Sequence, residues 1–574
     1  MFASGGFDVA IGNPPYVRQE LLSPIKPYLQ HHYASYDGVA DLYTYFYERG
    51  LTLLKPGGVL SYIVTNKWLR AGYGEALRRF FSENSVFEQI IDFGHAPIFQ
   101  DADTFPCIVV ARRVEASPHP PAPSPQGEGM EESSSPHRGG VGEGSTAPME
   151  PIPLAPFPGR EGGAELSSPV IICPVPREKL TGINLSQFVS QEGYDVPWSR
   201  FTATAWSLEP PAVDELMAKI KRVGVPLKKL LEIKPLLGIK TGLNEAFLID
   251  NNTRSDLIKA DPRVSEIIKP YLRGSDIKRW HSEWSSLWMI VLKSSSDHAW
   301  IWSKSKDTAE KIFSETFPSL YAYLKPLEDK LKKRQDKGRY WWELRPCAYY
   351  EAFQNPKYLI QGIAFHPRIS FDADGMYINN AGFILPTSDL WAISVINSPL
   401  MWCYIFRHLP HKKDEAIAMD AVYVETLPIA PPTDEIRSEV EPKVSRLIEL
   451  TKANQESYRD VLDWIKSRFR IEKPGQKLEG FASLDRTQFI DEVRDRIPKA
   501  GRKGSDPLGV AGQKEVSTVY NDYALPIQQR DREILTLEHE LSDLVNQAYG
   551  LTPEEIDLMW KTAPPRMPIK PVKG

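Results

Sequence analysis

The apolar run FDVAI, Phe7 to Ile11, ends on GNPPY, Gly12 to Tyr16. Its valine and isoleucine favour a pleated strand, whereas two successive prolines remove two backbone donors and fix two φ angles. A strand must therefore stop near Gly12, and a stiff loop begins at its C-terminal end. So short and apolar a run reads as a buried strand, which obliges the residues that follow to supply neighbours for it.

They do so by alternation. DLYTYFYERGLTLL places Leu42, Tyr45, Phe46, Leu53 and Leu54 at near-helical spacing, and KPGG, Lys55 to Gly58, stops that helix. VLSYIVT, Val59 to Thr65, is a second strand; a helix over about Tyr73 to Ser82 leads to FEQIIDF, Phe87 to Phe93, and CIVVARRV, Cys107 to Val114, is a further strand. This is the pattern of an open α/β sheet, whose ligands bind beyond the carboxyl ends of its strands.

From about Ala116 to Ser168 the chain turns to Pro, Gly, Ser and Glu, then resumes strand character in VIICPVP, Val170 to Pro176. Such a stretch buries too little apolar surface to offset its ordering entropy, so 116–168 is expected to be a disordered low-complexity insertion. The fragments PSPQGEG, GGVGEG and PFPGREGG resemble one another as a translated repetitive element would; a flexible partner-binding tail is the other reading. Residues 225–435 interleave aromatic and basic residues irregularly, and helical periodicity returns after Asp434. Near the end Ile534, Leu537, Leu541, Leu544, Val545 and Ala548 share one face, Gly550 stops that helix, and Thr552-Pro553-Glu554-Glu555 starts another as a capping box.

A chain of 574 residues exceeds what one core organises. We expect an α/β domain over 1–205, an α+β domain over 225–435 and a helical module over 436–574. The formal charge of -5 does not mark the whole chain as a nucleic-acid binder, so charge has to be read by region. Cys107, Cys173, Cys347 and Cys403 are scattered without paired spacing, which argues against a disulfide framework or a zinc knuckle and suits a reducing cytoplasm. No apolar run nears the roughly 18 residues of a membrane span, and no signal peptide is legible, so a cytoplasmic protein with no membrane partner is expected. The histidines, His31, His32 and His366 among them, lack metal-ligand spacing, and no metal is implied.

The NPPY loop has a chemistry of its own. An exocyclic amine on adenine is a poor nucleophile because its lone pair is delocalised into the ring. Two fixed acceptors for the amino hydrogens localise it, and the side-chain oxygen of Asn13 and the carbonyl of Pro14 can be that pair, stiffened by Pro15. Tyr16 offers an aromatic face to a base flipped from the duplex. The plainer alternative is a strand-ending turn, since Asn and Pro favour turns.

The order of FDVAIGNPPYV, DLYTYFYERGLTLLKPGGVLSYIVTNKWL and FGHAPIFQDADTFPCIVV resembles the gamma-class adenine-N6 DNA methyltransferases, specifically the Taq-type and type IIG restriction-modification enzymes. TGLNEAFLID, YLRGSDI, INSPLMWCYI, VETLPIAPP and YGLTPEEIDLM extend the likeness into a target-recognition domain and the C-terminus. The resemblance implies an incomplete Rossmann-like methyltransferase sheet, an α+β target-recognition domain and a helical C-terminal module. It implies S-adenosylmethionine as cofactor, double-stranded DNA as partner, Asn13, Pro14, Pro15 and Tyr16 as the catalytic loop, and Phe99 as a second base-stacking aromatic. A core role is the alternative for Phe99. The NPPY motif is shared with methyltransferases of protein glutamine and RNA guanine, which lack a region like 225–435; DNA adenine is favoured for that reason.

Lys330, Lys332, Lys333, Arg334, Lys337 and Arg339 precede Tyr340, Trp341 and Trp342. Basic side chains can contact phosphate while the two tryptophans pack against sugar or base, so this segment is the candidate DNA surface; a solvated helix face is the alternative for the lysines. Finally, in the resembled family the cofactor site precedes the NPPY loop, and only MFASGG stands before FDVAI. The cofactor-binding residues are therefore unknown, and the chain is expected to be the C-terminal part of a longer, split or late-started enzyme. It would leave FDVAI beside an unpaired edge and need a separate cofactor-binding polypeptide; a nuclease polypeptide is a further candidate partner. The competing reading is a catalytically inactive DNA-binding remnant or specificity subunit.

Overall fold

The computed structural model describes residues 5–94, 98, 105–114, 169–176, 179–180, 182–305, 307–412, 416–498 and 508–571. The insertion expected over 116–168 lies outside them, as does Phe99. The chain divides into two units, Met1–Asp214 and Glu215–Gly574.

The first unit is built on a six-stranded sheet of β1 (Phe7–Gly12), β2 (Leu54–Thr65), β3 (Ser85–Asp92), β4 (Pro106–Arg113), β5 (Val170–Pro174) and β6 (Tyr194–Val196). Their order is β1-β2-β4-β3-β5-β6. β1 runs parallel to β2 and β3 to β5, whereas β4 is antiparallel to both its neighbours and β6 to β5. β1, β2, β3 and β5 thus share one direction, and their carboxyl ends line one rim. The sheet is α/β as the alternation implies, but β4 enters reversed. An antiparallel neighbour can be reached without the helical crossover that a parallel one demands.

Helix Tyr43–Thr52 buries Tyr43, Tyr47 and Leu51, an i, i+4, i+8 stripe on one face. Of the expected apolar set, Tyr45 and Leu54 are buried, whereas Phe46 is exposed. Helix Glu75–Asn84 buries Leu77 and Phe81. These stripes join Leu60, Val64, Phe87 and Val109 in one core. KPGG does more than stop a helix: β2 already starts at Leu54, and the register against β1 jumps from Phe7↔Leu54 to Val9↔Val59. Gly57 takes φ 79°, and a Cβ on Gly58 would lie 2.9 Å from the Phe7 carbonyl oxygen. Glycine is what lets the two backbones approach there.

β1 corrects the expectation of burial. It pairs with β2 alone among the described residues. Phe7, Val9 and Ile11 share one face at period two and are 50%, 59% and 80% exposed, while Ala10 on the other face packs on the core.

The second unit is α+β and then helical. One four-stranded sheet orders Tyr377–Ile378, Ile268–Leu272, Leu287–Ile290 and Leu248–Ile249. Another orders Ile369–Asp372, Lys357–Gln361, Gly382–Pro386 and Leu236–Leu237, all antiparallel. Helix Asp434–Phe469 and helix Leu525–Ala548 follow, Gly550 takes φ 61°, and Thr552 and Glu555 cap helix Pro553–Lys561 reciprocally. No helix of the described residues is long and apolar enough to cross a membrane.

Candidate functional site

Asn13 leaves the carboxyl end of β1 exposed, Pro14 is buried, Pro15 is exposed and Tyr16 is half-buried. The chain just beyond is pinned: the Leu42 N–H donates to the Val17 carbonyl at 3.0 Å, and the Gln19 N–H to Asp41 Oδ1 at 2.9 Å. Tyr16 packs on the core, and burial beside the Cys107 thiol pushes its phenol up to about 12, so the ring stays neutral. Neither the Asn13 amide nor the Pro14 carbonyl has a hydrogen-bond partner among the described residues. The two successive prolines fix two φ angles of the loop.

Two residues along the same rim escaped the sequence reading. Asn66 follows β2 and Asp92 ends β3, and Asn66 Nδ2 donates to Asp92 Oδ1 at 2.9 Å. The Gly94 N–H donates to the same oxygen at 3.0 Å. Burial holds the Asp92 carboxyl above the usual carboxylate range, against the opposing pull of those two donors. The available signal was simple: each is a polar residue where an apolar strand run ends. Phe99, assigned as the second stacking aromatic, lies outside the described residues.

The Lys330–Trp342 segment divides. Arg334, expected on a DNA surface, is 7% exposed. Its guanidinium donates to the carbonyls of Thr241 at 2.6 Å, Trp341 at 2.9 Å and Glu343, and lies over the Phe247 ring. Burial lowers it to about 10. Trp342 is 1% exposed and stacks on Phe313 and Tyr340, and Trp341 is buried beside it. These three side chains build the interior of the second unit, because an aromatic next to a base pattern satisfies a core as well as a groove. Lys330, Lys332, Lys333, Lys337 and Arg339 remain outward. Lys330 pairs with Glu245 at 2.8 Å and Lys332 with Glu328 at 2.6 Å; Lys337 and Arg339 donate to the carbonyls of Lys332 and Ser303.

The described residues do not fit a complete pocket for S-adenosylmethionine. The open side of β1, where walls flanking the Asn13 loop would stand, presents exposed Phe7, Val9 and Ile11 and no further strand. No group of three or more His, Cys, Asp or Glu among the described residues is placed to hold a metal ion.

Residues 1–99 match the Eco57I restriction-modification methylase family, and residues 269–429 match the TaqI-like C-terminal specificity domain. The chain carries both domain types. Residues 433–545 match a domain of unknown function, DUF8810. The chain is similar to the Type II methyltransferase M.PaeR7I of Pseudomonas aeruginosa, 23% identical over 409 residues, 69% of this chain and 59% of that protein. Identity to the Type II methyltransferase M.XhoI of Xanthomonas vasicola is 41% over 110 residues, 19% of this chain and 20% of that protein. The solved structure of the type IIL restriction-modification enzyme MmeI in complex with DNA aligns with 97% of this chain and 56% of that one, at 12% identity and a TM-score of 0.43. The chain therefore spans less than two thirds of the length of these relatives.

Proposed function

We propose that this chain is the base-holding and DNA-recognising part of a site-specific adenine-N6 DNA methyltransferase of a restriction-modification or phage-defence system. The observation that carries the reading is the pair of unpartnered acceptors, Asn13 Oδ1 and the Pro14 carbonyl, beside the Tyr16 ring and inside the methylase-family segment. A flipped adenine stacks on Tyr16, which is neutral and so presents an uncharged face. Its amino hydrogens donate to Asn13 and Pro14, which localises the nitrogen lone pair for attack. The prolines and the anchors at Val17 and Gln19 hold that geometry before the base arrives, which is where the rate gain lies. Asn66, fixed by Asp92, stands on the same rim as a further polar wall. S-adenosylmethionine supplies the methyl group when bound. The second unit holds the duplex, with the outward Lys330, Lys332, Lys333, Lys337 and Arg339 as candidate phosphate contacts.

Among the described residues β1 pairs with β2 alone and leaves Val9 and Ile11 exposed, which favours one refinement. A strand with a free row of N–H and C=O groups and an exposed apolar face is a template for further strands. A polypeptide carrying the cofactor-binding strands pairs there, and without it the chain binds DNA and transfers nothing, which is the specificity-subunit reading. The test is tritium transfer from labelled S-adenosylmethionine to adenine in duplex DNA, with and without a cofactor-binding polypeptide expressed beside the chain. Methylation is expected only in the pair, and should be lost with Asn13→Ala. Label recovered on guanine, cytosine or protein instead of adenine would overturn the assignment.

A further inference from the structure

A second cationic surface in the second unit is built differently from the Lys330–Arg339 segment. Phe365 and His366 follow the short strand Ile363–Ala364, which pairs with Ile417–Ala418, and Arg368 immediately precedes strand Ile369–Asp372. The C-terminal segment brings Arg566 over Phe365, with its guanidinium carbon 4.8 Å from the ring centroid. That segment is tied down on helix Pro399–His408: Trp402 Nε1 donates to the Pro565 carbonyl at 3.1 Å, and Arg407 Nη2 to the Thr562 carbonyl at 2.7 Å. Arg566 itself takes φ 61°, a left-handed conformation that a residue with a side chain adopts only where its surroundings over-determine it.

Among the described residues the charge here is not answered by a carboxylate. Arg368 Nε donates to His366 Nε2 at 2.9 Å, which makes that nitrogen an acceptor and the imidazole neutral. Burial, with Arg368, Arg279 and Arg566 around the ring, holds His366 below its usual range. Arg279 is matched by the buried Glu538, which also accepts from Trp280 Nε1. Neither Arg368 nor Arg566 has an ion pair among the described residues. Among the described residues Asp420 is a carboxylate near this strand, with its Oδ1 3.8 Å from where a Cβ on Gly362 would stand. Lys330 and Lys332, by contrast, are each neutralised by a glutamate. Phe365, 40% exposed, adds an aromatic face beneath the Arg566 guanidinium.

Two like charges held together without a counter-ion repel, and the arrangement becomes favourable when an anion with spaced negative charges docks on it. Guanidinium groups match phosphate geometry, and an aromatic ring packs on sugar or base. We infer that Arg368 and Arg566, with Phe365 beneath Arg566 and His366 fixing the Arg368 guanidinium, contact the phosphates of duplex DNA. The inference rests on the DNA-methyltransferase reading and goes beyond it by naming the surface.

The test is fluorescence anisotropy of a labelled mixed-sequence duplex with the full chain across a salt series. Each phosphate contact contributes close to one unit of slope in log K against log salt, so R368A/R566A should flatten the slope by about two. R368K/R566K keeps the charge and should restore most of it. Arg566→Glu, at an exposed side chain, should weaken binding at least tenfold with an unchanged melting temperature. Lys311→Ala, an exposed cation paired with Glu315, should leave the slope alone. A parental slope in both R368A/R566A and Arg566→Glu overturns this surface while leaving the methyltransferase reading in place. Failure of the unaltered chain to bind duplex DNA overturns both.

Discussion

β1 and the strand Lys357–Gln361 occupy opposite situations in their sheets. The latter is paired on both sides, by Ile369–Asp372 and Gly382–Pro386, and its Tyr358, Leu359 and Ile360 are fully buried. Even its lysine is taken inside: Lys357 pairs with Asp372 directly across the ladder and donates to the Phe353 carbonyl at 2.6 Å. β1 has one neighbour among the described residues, and its Val9 and Ile11 side chains are exposed. Among the described residues the second unit pairs this strand on both sides, whereas the first leaves Val9 and Ile11 exposed beside the loop proposed to hold the reacting base. On the proposed reading, a cofactor-binding polypeptide is expected to pair at β1 and not in the second unit.

The strongest perturbation should come from the closed strand. Asp372→Ala leaves Lys357 buried without its partner, and breaking such a pair typically removes about 3–5 kcal/mol; chemical denaturation of the second unit should show it. A loss below ~1 kcal/mol would mean that strand is no better closed than β1. Next comes the loop. Asn13→Ala, in the complemented enzyme, should lower methyl transfer on the order of a hundredfold or more while leaving duplex affinity near that of the parent. Retained transfer would reduce NPPY to a strand-ending turn.

At β1 the expectation reverses. Ile11→Glu should change the stability of the chain by itself by no more than ~0.5 kcal/mol, as at other exposed sites, yet should weaken association with a cofactor-binding polypeptide. Substantial unfolding of the chain by itself would show that Ile11 is already packed.

The smallest effect is a pH dependence. Burial raises the Asp92 carboxyl above its ordinary 3.8, so the stability linked to its protonated form is fully present below that value and is lost as pH rises through the raised one. Asp92→Asn keeps an oxygen for Asn66 and Gly94 and should flatten the melting temperature across that window. An unchanged profile would place the carboxylate in a water-like setting.

Much of the first unit was legible. FDVAI, VLSYIVT, FEQII and CIVVARR are strands because β-branched runs bounded by Gly, Pro and Asn have few other outcomes. Helix Tyr43–Thr52 was legible as a helix, but its buried face was not, since aromatic residues surround it. Periodicity carries no strand direction, so the reversal of β4 could not be read. Nor could the exposure of β1, which depends on what pairs with it, not on its own residues. In the second unit, basic residues beside Trp341 and Trp342 looked like a groove because local sequence cannot say which way a tryptophan points. The Arg368–Arg566 surface was hidden for the opposite reason: its two arginines come from distant segments that only the fold unites.

On the proposed reading the first unit supplies the base-holding rim, and its described residues leave the cofactor pocket incomplete. Titration calorimetry of S-adenosylmethionine into the 574-residue chain tests it most directly. No saturable binding is expected from the chain by itself, with binding restored once a polypeptide pairs with β1. Stoichiometric binding by the chain by itself would contradict the account and would require a cofactor site formed by residues other than those of the β1 rim.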